Sequence, residues 1–475
     1  MKKALMMIII SCLLFMGCQA TPETAAVVAK DSTEQAVLES ATASDAPITP
    51  YEVPAHVSQR FTIVDGALDM VIDADVDMPD IDRFPVALVK ADPFTQAQAD
   101  VMREYFVKDG KLFTQDVMTK SDYDEMIIEA RRGHEVDGEY VFDESSQEWL
   151  DELLAMREEA PDEDTPIEIT DFSIDGEGLC GSVVRNGQAS GSLQMNDNSI
   201  YFGSGRDFWY DGQDYYDGND KKISMKTCDI NMTEEEAVTA ADRILQDVGA
   251  TGMAVKEMNK AYISSKGRDI MDEPEYGGYR FIFMRTFGGM MPFTVEGYSL
   301  GQDDHFDTSP PIDMETLELV INEHGEVEMF VWSNPAEITG TMTEHVEILP
   351  FDEIMERLET FSKQQYAFVG DFAPSDLLSI KKINHIGLYL NYLPIKNNAS
   401  EFMFAPCWVF TYKDLIDYTE EQKADLKAKG FFVMEEEMMG DEVIVFSAVD
   451  GASVSAYSAK QYEEIMKDRE GMGMD

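Results

Sequence analysis

Basic residues are scarce in this sequence. Its 475 residues include 37 Lys and Arg against 92 Asp and Glu, a formal net charge of −55 at pH 7. A surface that grips nucleic acid or anionic lipid headgroups needs clustered Lys and Arg. The composition therefore excludes nucleic acid as a partner of the main surface. Hydrophobic residues still make up 44% of the chain, which is ordinary for a protein with buried cores.

The familiar catalytic signatures are absent as well. The sequence has no G-x-S-x-G elbow, no H-E-x-x-H zinc helix and no G-x-G-x-x-G turn. Ser379 and Lys382 fit S-x-x-K, but no Ser-Asp-Asn or Lys-Thr-Gly accompanies them, so we interpret the match as chance. The six histidines are scattered without metal-ligand spacing: His56, His134, His305, His324, His345 and His385. We therefore predict a protein that is not an enzyme and needs no cofactor.

An apolar run at the N-terminus is too short to span a bilayer. Lys2 and Lys3 precede residues 4–16, which are fewer than the roughly 18–20 apolar residues that a membrane helix needs. A cleaved export signal fits this pattern better. Residues 14–18 (Leu-Phe-Met-Gly-Cys) resemble a lipobox, with Phe where Leu is usual. The resemblance implies cleavage before Cys18; the alternative is an ordinary signal peptide with a chance cysteine.

Lipidation at Cys18 would fix the location of the protein. The lipobox resemblance implies a diacylglyceryl group, palmitate-like in its chains, on the Cys18 sulfur. Two acyl chains hold a protein on a membrane where one would release it. The sequence thus predicts a lipid-anchored protein on the outer, extracytoplasmic face of the cell membrane. Its acidic body should stand off anionic lipid.

Cysteine is also rare. Of the five cysteines, Cys12 lies in the signal and Cys18 is the anchor, which leaves Cys180, Cys228 and Cys407 without CxxC spacing. At most one disulfide can form among these three. Cys180 with Cys228 is the favoured pair, because both lie in one strand-rich region. Three buried free thiols are an equal alternative.

Composition and hydrophobic spacing predict an α+β fold, with helices packed on antiparallel sheets. Residues 19–50 lack a helical apolar stripe and an aromatic side chain, which is typical of a flexible tether. The predicted segments are a signal peptide (1–17), the tether (18–50), an N-terminal α+β segment (51–165), a β-meander (166–230) and two α+β units (231–365 and 366–475).

Capping boxes and turn signals place individual elements. Four pairs predict helix starts: Thr95 with Gln98, Ser121 with Asp124, Ser145 with Glu148, and Thr233 with Glu236. Asn186-Gly187 predicts a hairpin turn in the meander. Phe351 opens a further helix, and two more are expected at residues 419–429 and 458–468.

The last two units resemble a known family. The blocks TEEEAVTAADRILQDVGATGMAV, LELVINEHGEVEMFVW and VEILPFDEIMERLETF look like the extracytoplasmic PepSY-like and YycH/YycI-like modules of Gram-positive bacteria. INHIGLYLNYLPI, APCWVFTY and VIVFSAVDGASV look like a second such unit, and the whole chain is similar to a family of Firmicute lipoproteins with a domain of unknown function. The resemblance implies two PepSY-like units, an extracytoplasmic location and regulatory or inhibitory binding of partner proteins. It transfers no catalytic residue.

Two acidic stretches invite a metal hypothesis. Asp73, Asp75 and Asp77 alternate along a predicted strand but lack the Gly and Glu of a calcium loop, so we interpret them as a solvated strand face. Residues 207–220 combine five Asp with five aromatic side chains. A hairpin turn with aromatic packing is favoured there, while aromatic contact with a ligand and calcium binding stay open. The weak calcium candidates are Asp211, Asp214, Asp217 and Asp220.

The sequence therefore predicts a membrane-anchored lipoprotein with a binding or regulatory role toward an extracytoplasmic protein or peptide. The alternative is a cell-wall or glycan-directed hydrolase that uses an Asp/Glu pair. A solute-binding lipoprotein of a transporter is disfavoured, because that class needs parallel sheets in two lobes and the strands here come as hairpins.

Overall fold

The structure is a computed structural model, and it confirms the α+β class. It describes residues 33–41, 51–114, 118–136, 139–142, 144–162, 166–174, 178–212, 215–216, 222–264, 273–293, 314–366, 378–395, 398–416, 418, 422–423 and 442–454. Six helices and two large, mainly antiparallel sheets lie in these residues. Several predicted features lie outside the described residues. They are the signal peptide with Cys18, three of the calcium candidates (Asp214, Asp217 and Asp220), the helix expected at 458–468 and nearly all of the helix expected at 419–429.

The helices are α1 (Thr33–Ser40), α2 (Gln96–Val107), α3 (Lys120–Ala130), α4 (Glu144–Glu159), α5 (Glu234–Asp247) and α6 (Phe351–Gln365). The strands are β1 (His56–Val64), β2 (Leu68–Asp77), β3 (Val86–Ala91), β4 (Lys111–Thr114), β5 (His134–Val136), β6 (Glu139–Val141), β7 (Leu179–Arg185), β8 (Gln188–Met195), β9 (Ser199–Gly203), β10 (Asp207–Tyr210), β11 (Tyr215–Tyr216), β12 (Lys222–Ile223), β13 (Met253–Ser264), β14 (Tyr276–Arg285), β15 (Thr316–Asn322), β16 (Val327–Ser333), β17 (Ala336–Thr343), β18 (Ser379–Ile395), β19 (Asn398–Ile416) and β20 (Glu442–Ser447). None of the described helices is both long and apolar enough to cross a membrane.

Two compact units divide the chain, and neither is continuous in sequence. The first holds residues up to 88 and residues from 341 onward, and the second holds 89–294 and 311–340. The boundaries expected at residues 165 and 365 therefore do not separate these units. The physical reason lies in long-range strand pairing: β2, from the expected N-terminal segment, pairs in parallel with β18, from the expected last unit. Local hydrophobic spacing carries no signal for such a pairing.

Five strands of a seven-stranded sheet (β1, β2, β18, β19 and β20) lie wholly in the first unit. The order of this sheet is β1-β2-β18-β19-β3-β17, and β20 pairs with β19. Helix α6 packs on this sheet through its apolar stripe: the Phe361 and Phe446 rings meet edge to face with centroids 5.4 Å apart, and Phe351 meets Trp408 at 5.0 Å. Ile354 and Leu358 are fully buried on the same stripe, in the helix that the sequence predicted to begin at Phe351.

The second unit is built on a nine-stranded sheet with the order β10-β13-β14-β15-β16-β9-β8-β7-β4. Helices α2 and α5 bury their apolar stripes in one shared core with these strands. Met102 and Phe106 of α2 and Ala241 and Ile244 of α5 are each at most 4% exposed. The expected meander strands thus belong to the same sheet as those of the following unit.

Local signals in the sequence were accurate where they were strong. Thr95 and Thr233 each cap a helix through a complete capping box. Asn186 and Gly187 have φ angles of 52° and 77°, the two left-handed residues that a tight hairpin turn requires. Helix α3 begins two residues earlier than expected, because Thr119 and not Ser121 accepts the capping hydrogen bond.

The expected tether is partly folded. Residues 33–40 form α1, in which Val37 is fully buried. Ala41 then forms an antiparallel bridge with Val346, and the Glu347 N–H donates to the Ser40 carbonyl. The expectation of a flexible segment up to residue 50 is thus corrected for this stretch, since one buried valine and the bridge hold the short helix to its unit.

A close backbone approach at Gly278 gives a test of the second unit's sheet. A Cβ on Gly278 would lie 2.0 Å from the Ile321 carbonyl oxygen on the paired strand, whereas one on Gly340 would meet nothing within 4 Å. Gly278→Ala should therefore lower the free energy of unfolding by about 1–3 kcal/mol through overpacking. Gly340→Ala is the matched control and should stay within about 0.5 kcal/mol of wild type. Urea unfolding followed by circular dichroism measures both; equal stability of the two variants would contradict this packing.

Candidate functional site

The second unit contains a cavity of about 770 Å³ between two helices and the sheet. The C-terminal end of α2 and the middle of α5 form two of its walls, and the turn between β15 and β16 forms a third. Strands β8, β9 and β16 lie beneath it. We call this space the α2–α5 cavity. Its volume lies in the range of about 300–1,000 Å³ that is usual for small-molecule sites.

Aromatic packing makes the floor of the α2–α5 cavity rigid. The rings of Phe106 and Phe202 stack with their centroids 4.5 Å apart, and Phe330 lies 5.2 Å from Phe106. All three side chains are at most 3% exposed. Because α2, β9 and β16 each contribute one ring, the floor fixes the helix against the sheet.

Basic residues outnumber acidic residues in the lining of the α2–α5 cavity, whereas acidic residues outnumber basic ones in the whole chain. Of the cavity's 18 lining residues, four are Lys or Arg and two are Glu. The whole chain has the opposite ratio, 37 basic to 92 acidic residues. The charged lining residues are Lys108, Arg185, Arg206, Arg243, Glu326 and Glu328.

Arg185 binds the end of α2. Its Nη2 donates to the carbonyl oxygen of Phe106, and its Nε donates to that of Val107 at 3.5 Å. These carbonyls carry the partial negative charge of the helix C-terminus, so a guanidinium is favourable there. Among the described residues Arg185 has no carboxylate partner, and it lines the cavity.

Glu328 is buried in the cavity wall and fully engaged. Its Oε1 accepts hydrogen bonds from Asn322 Nδ2 at 2.7 Å, Tyr276 OH at 3.1 Å and Arg206 Nη1 at 3.1 Å. Burial and the nearby Glu328 carboxylate raise the pKa of Tyr276, so the phenol stays a donor. Glu328 is the shared acceptor of these hydrogen bonds, and it holds Arg206 in the cavity wall. Glu326 also reaches Asn322 Nδ2, at 3.2 Å.

Lys108 has a strained backbone at the mouth of the α2–α5 cavity. It caps α2 with φ 48° and ψ −123°, a conformation that favours glycine. Its exposed ammonium lies 5.3 Å from the centroid of the Tyr105 ring. Strain of this kind costs on the order of 1–3 kcal/mol and persists where surrounding structure or function maintains it.

A second candidate surface lies on the helical pair α3–α4. The two helices share a small core of their own, made by Ile127, Leu150 and Leu153. An ion pair of 2.6 Å joins Asp124, near the start of α3, to Arg157, near the end of α4. The helices therefore run antiparallel. Met126 and Ala130 of α3 pack against the edge of this core.

The α3–α4 pair carries a groove whose lining includes apolar side chains together with Glu129, Ser145 and Ser146. This groove of about 470 Å³ runs between the end of α3 and the start of α4, lined by Met126, Ala130 and Trp149 among others. Trp149 remains 45% exposed, and Met156, two turns further along α4, is also 45% exposed. We call this feature the Trp149 groove.

The residues singled out from the sequence do not gather into one site. Asp211 accepts a hydrogen bond from Tyr262 OH at 3.2 Å. Burial and this carboxylate raise the pKa of Tyr262 to about 12. In the described part of the chain, no three Asp, Glu, His or Cys side chains form a metal-ligand group. Of the four calcium candidates, only Asp211 falls among the described residues.

The aspartate row on β2 is a solvated face, as predicted. Asp73, Asp75 and Asp77 are exposed and alternate with buried or half-buried side chains. His56 on the neighbouring strand binds two of them, at 2.8 Å to Asp75 and 3.1 Å to Asp73. The hydrogen bond to Asp75 above all raises the pKa of His56.

The S-x-x-K match has no catalytic geometry. Ser379 and Lys382 both lie on β18, three residues apart in regular pairing. Side chains alternate between the two faces of a strand, so an odd spacing puts these two on opposite faces. They cannot act on one substrate together.

The favoured disulfide is not formed. Cys180, Cys228 and Cys407 are free thiols. Cys180 is exposed on β7, whereas Cys228 packs with Trp209 of β10 and Tyr262 of β13, near the other edge of the nine-stranded sheet. With strands about 4.8 Å apart, the two thiols lie on the order of 30 Å from each other. A disulfide needs Cα atoms within about 7 Å, so sharing a strand-rich region was not enough.

Comparisons with known proteins leave the family open. No family model and no curated protein matches the chain. Among solved structures, the chain is similar to the crystal structure of an uncharacterized protein from Eubacterium rectale ATCC 33656. The TM-score is 0.43 and the sequence identity is 13%, over 84% of this chain and 93% of that chain.

The strain at Lys108 can be measured directly. Lys108→Gly removes the Cβ and should raise the free energy of unfolding by about 1 kcal/mol, since glycine adopts φ 48° without strain. Lys108→Ala is the matched control: it removes the ammonium but keeps the Cβ, and should gain nothing. Urea unfolding of both variants distinguishes backbone strain from charge. A Gly variant no more stable than the Ala variant would show that the position is relaxed.

Proposed function

We propose that this protein is a lipid-anchored, extracytoplasmic binding protein, held by Cys18 and contacting a protein or peptide partner through the Trp149 groove. Its role is regulatory or inhibitory, as expected for PepSY-like and YycI-like units, and it is not catalytic. The observation that supports this proposal most directly is the half-exposed Trp149 in a groove on the α3–α4 pair.

Trp149 stands apart from the other tryptophans. The chain has four, and Trp209, Trp332 and Trp408 are each at most 3% exposed, against 45% for Trp149. A half-exposed indole in a groove is typical of the residues that dominate binding energy at protein interfaces. Met126 beside it is flexible and adapts to different partner side chains.

The charge around the groove selects the partner. Helices α3 and α4 together carry ten Asp or Glu and two Lys or Arg. Both basic side chains are already in ion pairs, Lys120 with Asp162 at 2.8 Å and Arg157 with Asp124 at 2.6 Å. A complementary partner therefore presents an amphipathic segment whose apolar side chains enter the groove while Lys or Arg face the surrounding carboxylates.

Titration with two synthetic peptides of about 18 residues tests this proposal. One is an amphipathic helix of Leu and Lys, and the other has the same charge but Ser in place of Leu. The Leu/Lys peptide should saturate and shift the Trp149 emission to shorter wavelength, because the indole leaves water. The Ser/Lys peptide should bind weakly and leave the spectrum unchanged.

Variants assign the signal to the groove. Trp149→Phe should abolish the spectral shift, and Met126→Ser should weaken binding by about 10-fold, as for residues at the centre of an interface. Val101→Ser is the matched control, since Val101 is an exposed apolar residue of α2 outside the groove. Equal binding of both peptides, or equal loss in Val101→Ser and Met126→Ser, would reject a groove-specific interaction in favour of general attraction to an acidic surface.

A further inference from the structure

We propose that the α2–α5 cavity binds a small organic anion that carries two or more phosphate or carboxylate groups. This site is separate from the Trp149 groove, and no residue lines both. The proposal therefore does not depend on the partner-binding role.

The first argument is local charge. Carboxylates outnumber basic side chains by more than two to one in the chain, yet basic side chains outnumber carboxylates two to one in the cavity lining. Lys108 and Arg243 are exposed and Arg185 is half-buried, so solvent-borne anions can reach them. They come from α2, α5 and β7, three elements that the fold brings to one space.

The second argument is that donors remain for a ligand. Arg206 uses Nη1 for Glu328, which leaves its Nε and Nη2 unengaged among the described residues. Arg185 uses Nε and Nη2 on the end of α2, which leaves Nη1. A guanidinium presents several donors in a fixed plane, and this arrangement matches the oxygens of phosphate and carboxylate groups.

Of the two glutamates that line the cavity, Glu328 is paired with a basic side chain and Glu326 is exposed. Glu328 accepts from Arg206, Tyr276 and Asn322, and Glu326 accepts from the same Asn322. Asp247 lies 3.9 Å from Arg243, an exposed pair of little strength. These contacts limit the repulsion that a bound anion would meet inside the cavity.

Long-range repulsion from the rest of the chain does not reach far at ordinary salt. The Debye length is about 10 Å at 0.1 M ionic strength. Distant carboxylates are largely screened at that concentration, whereas direct contacts inside a partly enclosed cavity are screened much less. The cavity can hence attract an anion locally even though the chain carries a net charge of −55.

The size and polarity of the space favour a small molecule. About 770 Å³ accommodates a metabolite-sized ligand. Ser190, Ser204 and His324 also line it and add hydrogen-bonding groups beside the cations. A ligand with two oxyanion groups can then engage basic side chains of both helices at once.

Calorimetry with pyrophosphate and with citrate tests the site on the purified chain in about 0.1 M NaCl. We expect saturable binding of at least one probe at one site per chain, with the stronger probe identifying phosphate or carboxylate as the preferred group. The double variant Lys108→Gln/Arg243→Gln should weaken binding by about 10-fold or more. Neither side chain carries a buried contact, and unchanged thermal unfolding will confirm that the variant folds.

Arg132→Gln is the matched control, because Arg132 is exposed after α3 and outside the cavity. It removes one positive charge and should leave the affinity unchanged. An equal loss in the control, wild-type affinity in the double variant, or no heat with either probe at millimolar concentration would each overturn the proposal.

Discussion

The first compact unit depends on one pairing, that of β2 with β18, in which Leu68 lies opposite Ser379. Met70 and Ile72 of β2 are at most 1% exposed. The pairing therefore buries apolar side chains in the core and also forms backbone hydrogen bonds. The entropic cost of closing a loop rises only slowly with its length, and buried apolar area offsets it. Contacts of such long range form slowly, however. The core of this unit is therefore complete only after nearly the whole chain has been made.

Charge is the second constraint that organises the molecule. Two of the scarce basic side chains are placed where carboxylates are buried: Arg285 binds Glu315, and Arg206 binds Glu328. In a third pair the base is the buried partner, since Lys381 binds the half-exposed Asp414. Glu315 and Glu328 are at most 2% exposed. Loss of one partner would leave an uncompensated buried charge, which is far more costly than loss of a surface pair.

Sequence reasoning worked where the determinants are local. A capping box at Thr233 or a left-handed pair at Asn186-Gly187 depends on neighbouring residues only, so the pattern alone predicts the geometry. The pairing of β2 with β18 depends on the order of strands in the sheet, and so does the distance between Cys180 and Cys228. The spacing of hydrophobic residues along the sequence does not encode that order. The buried valine of α1 has the same explanation, because its partners are distant in sequence.

The two candidate sites were invisible for a related reason. The basic residues of the α2–α5 cavity are dispersed along the sequence, and each one alone resembles an ordinary surface residue. Trp149 follows the helix start predicted at Ser145, and nothing in that pattern marks it as exposed. Only the structure separates it from Leu150 and Leu153, which do reach a core.

Under the proposed lipid anchoring at Cys18, the short helix α1 would limit how far the folded body can extend from a membrane. With the chain held to its unit from Thr33 onward, fourteen residues separate Cys18 from the body. At about 3.5 Å per residue such a segment spans at most about 50 Å, half of what a wholly extended tether to residue 50 would give. An anchored molecule would thus sample only a thin layer of space next to the bilayer. Any protein it meets there must itself be embedded in the membrane or held close to it.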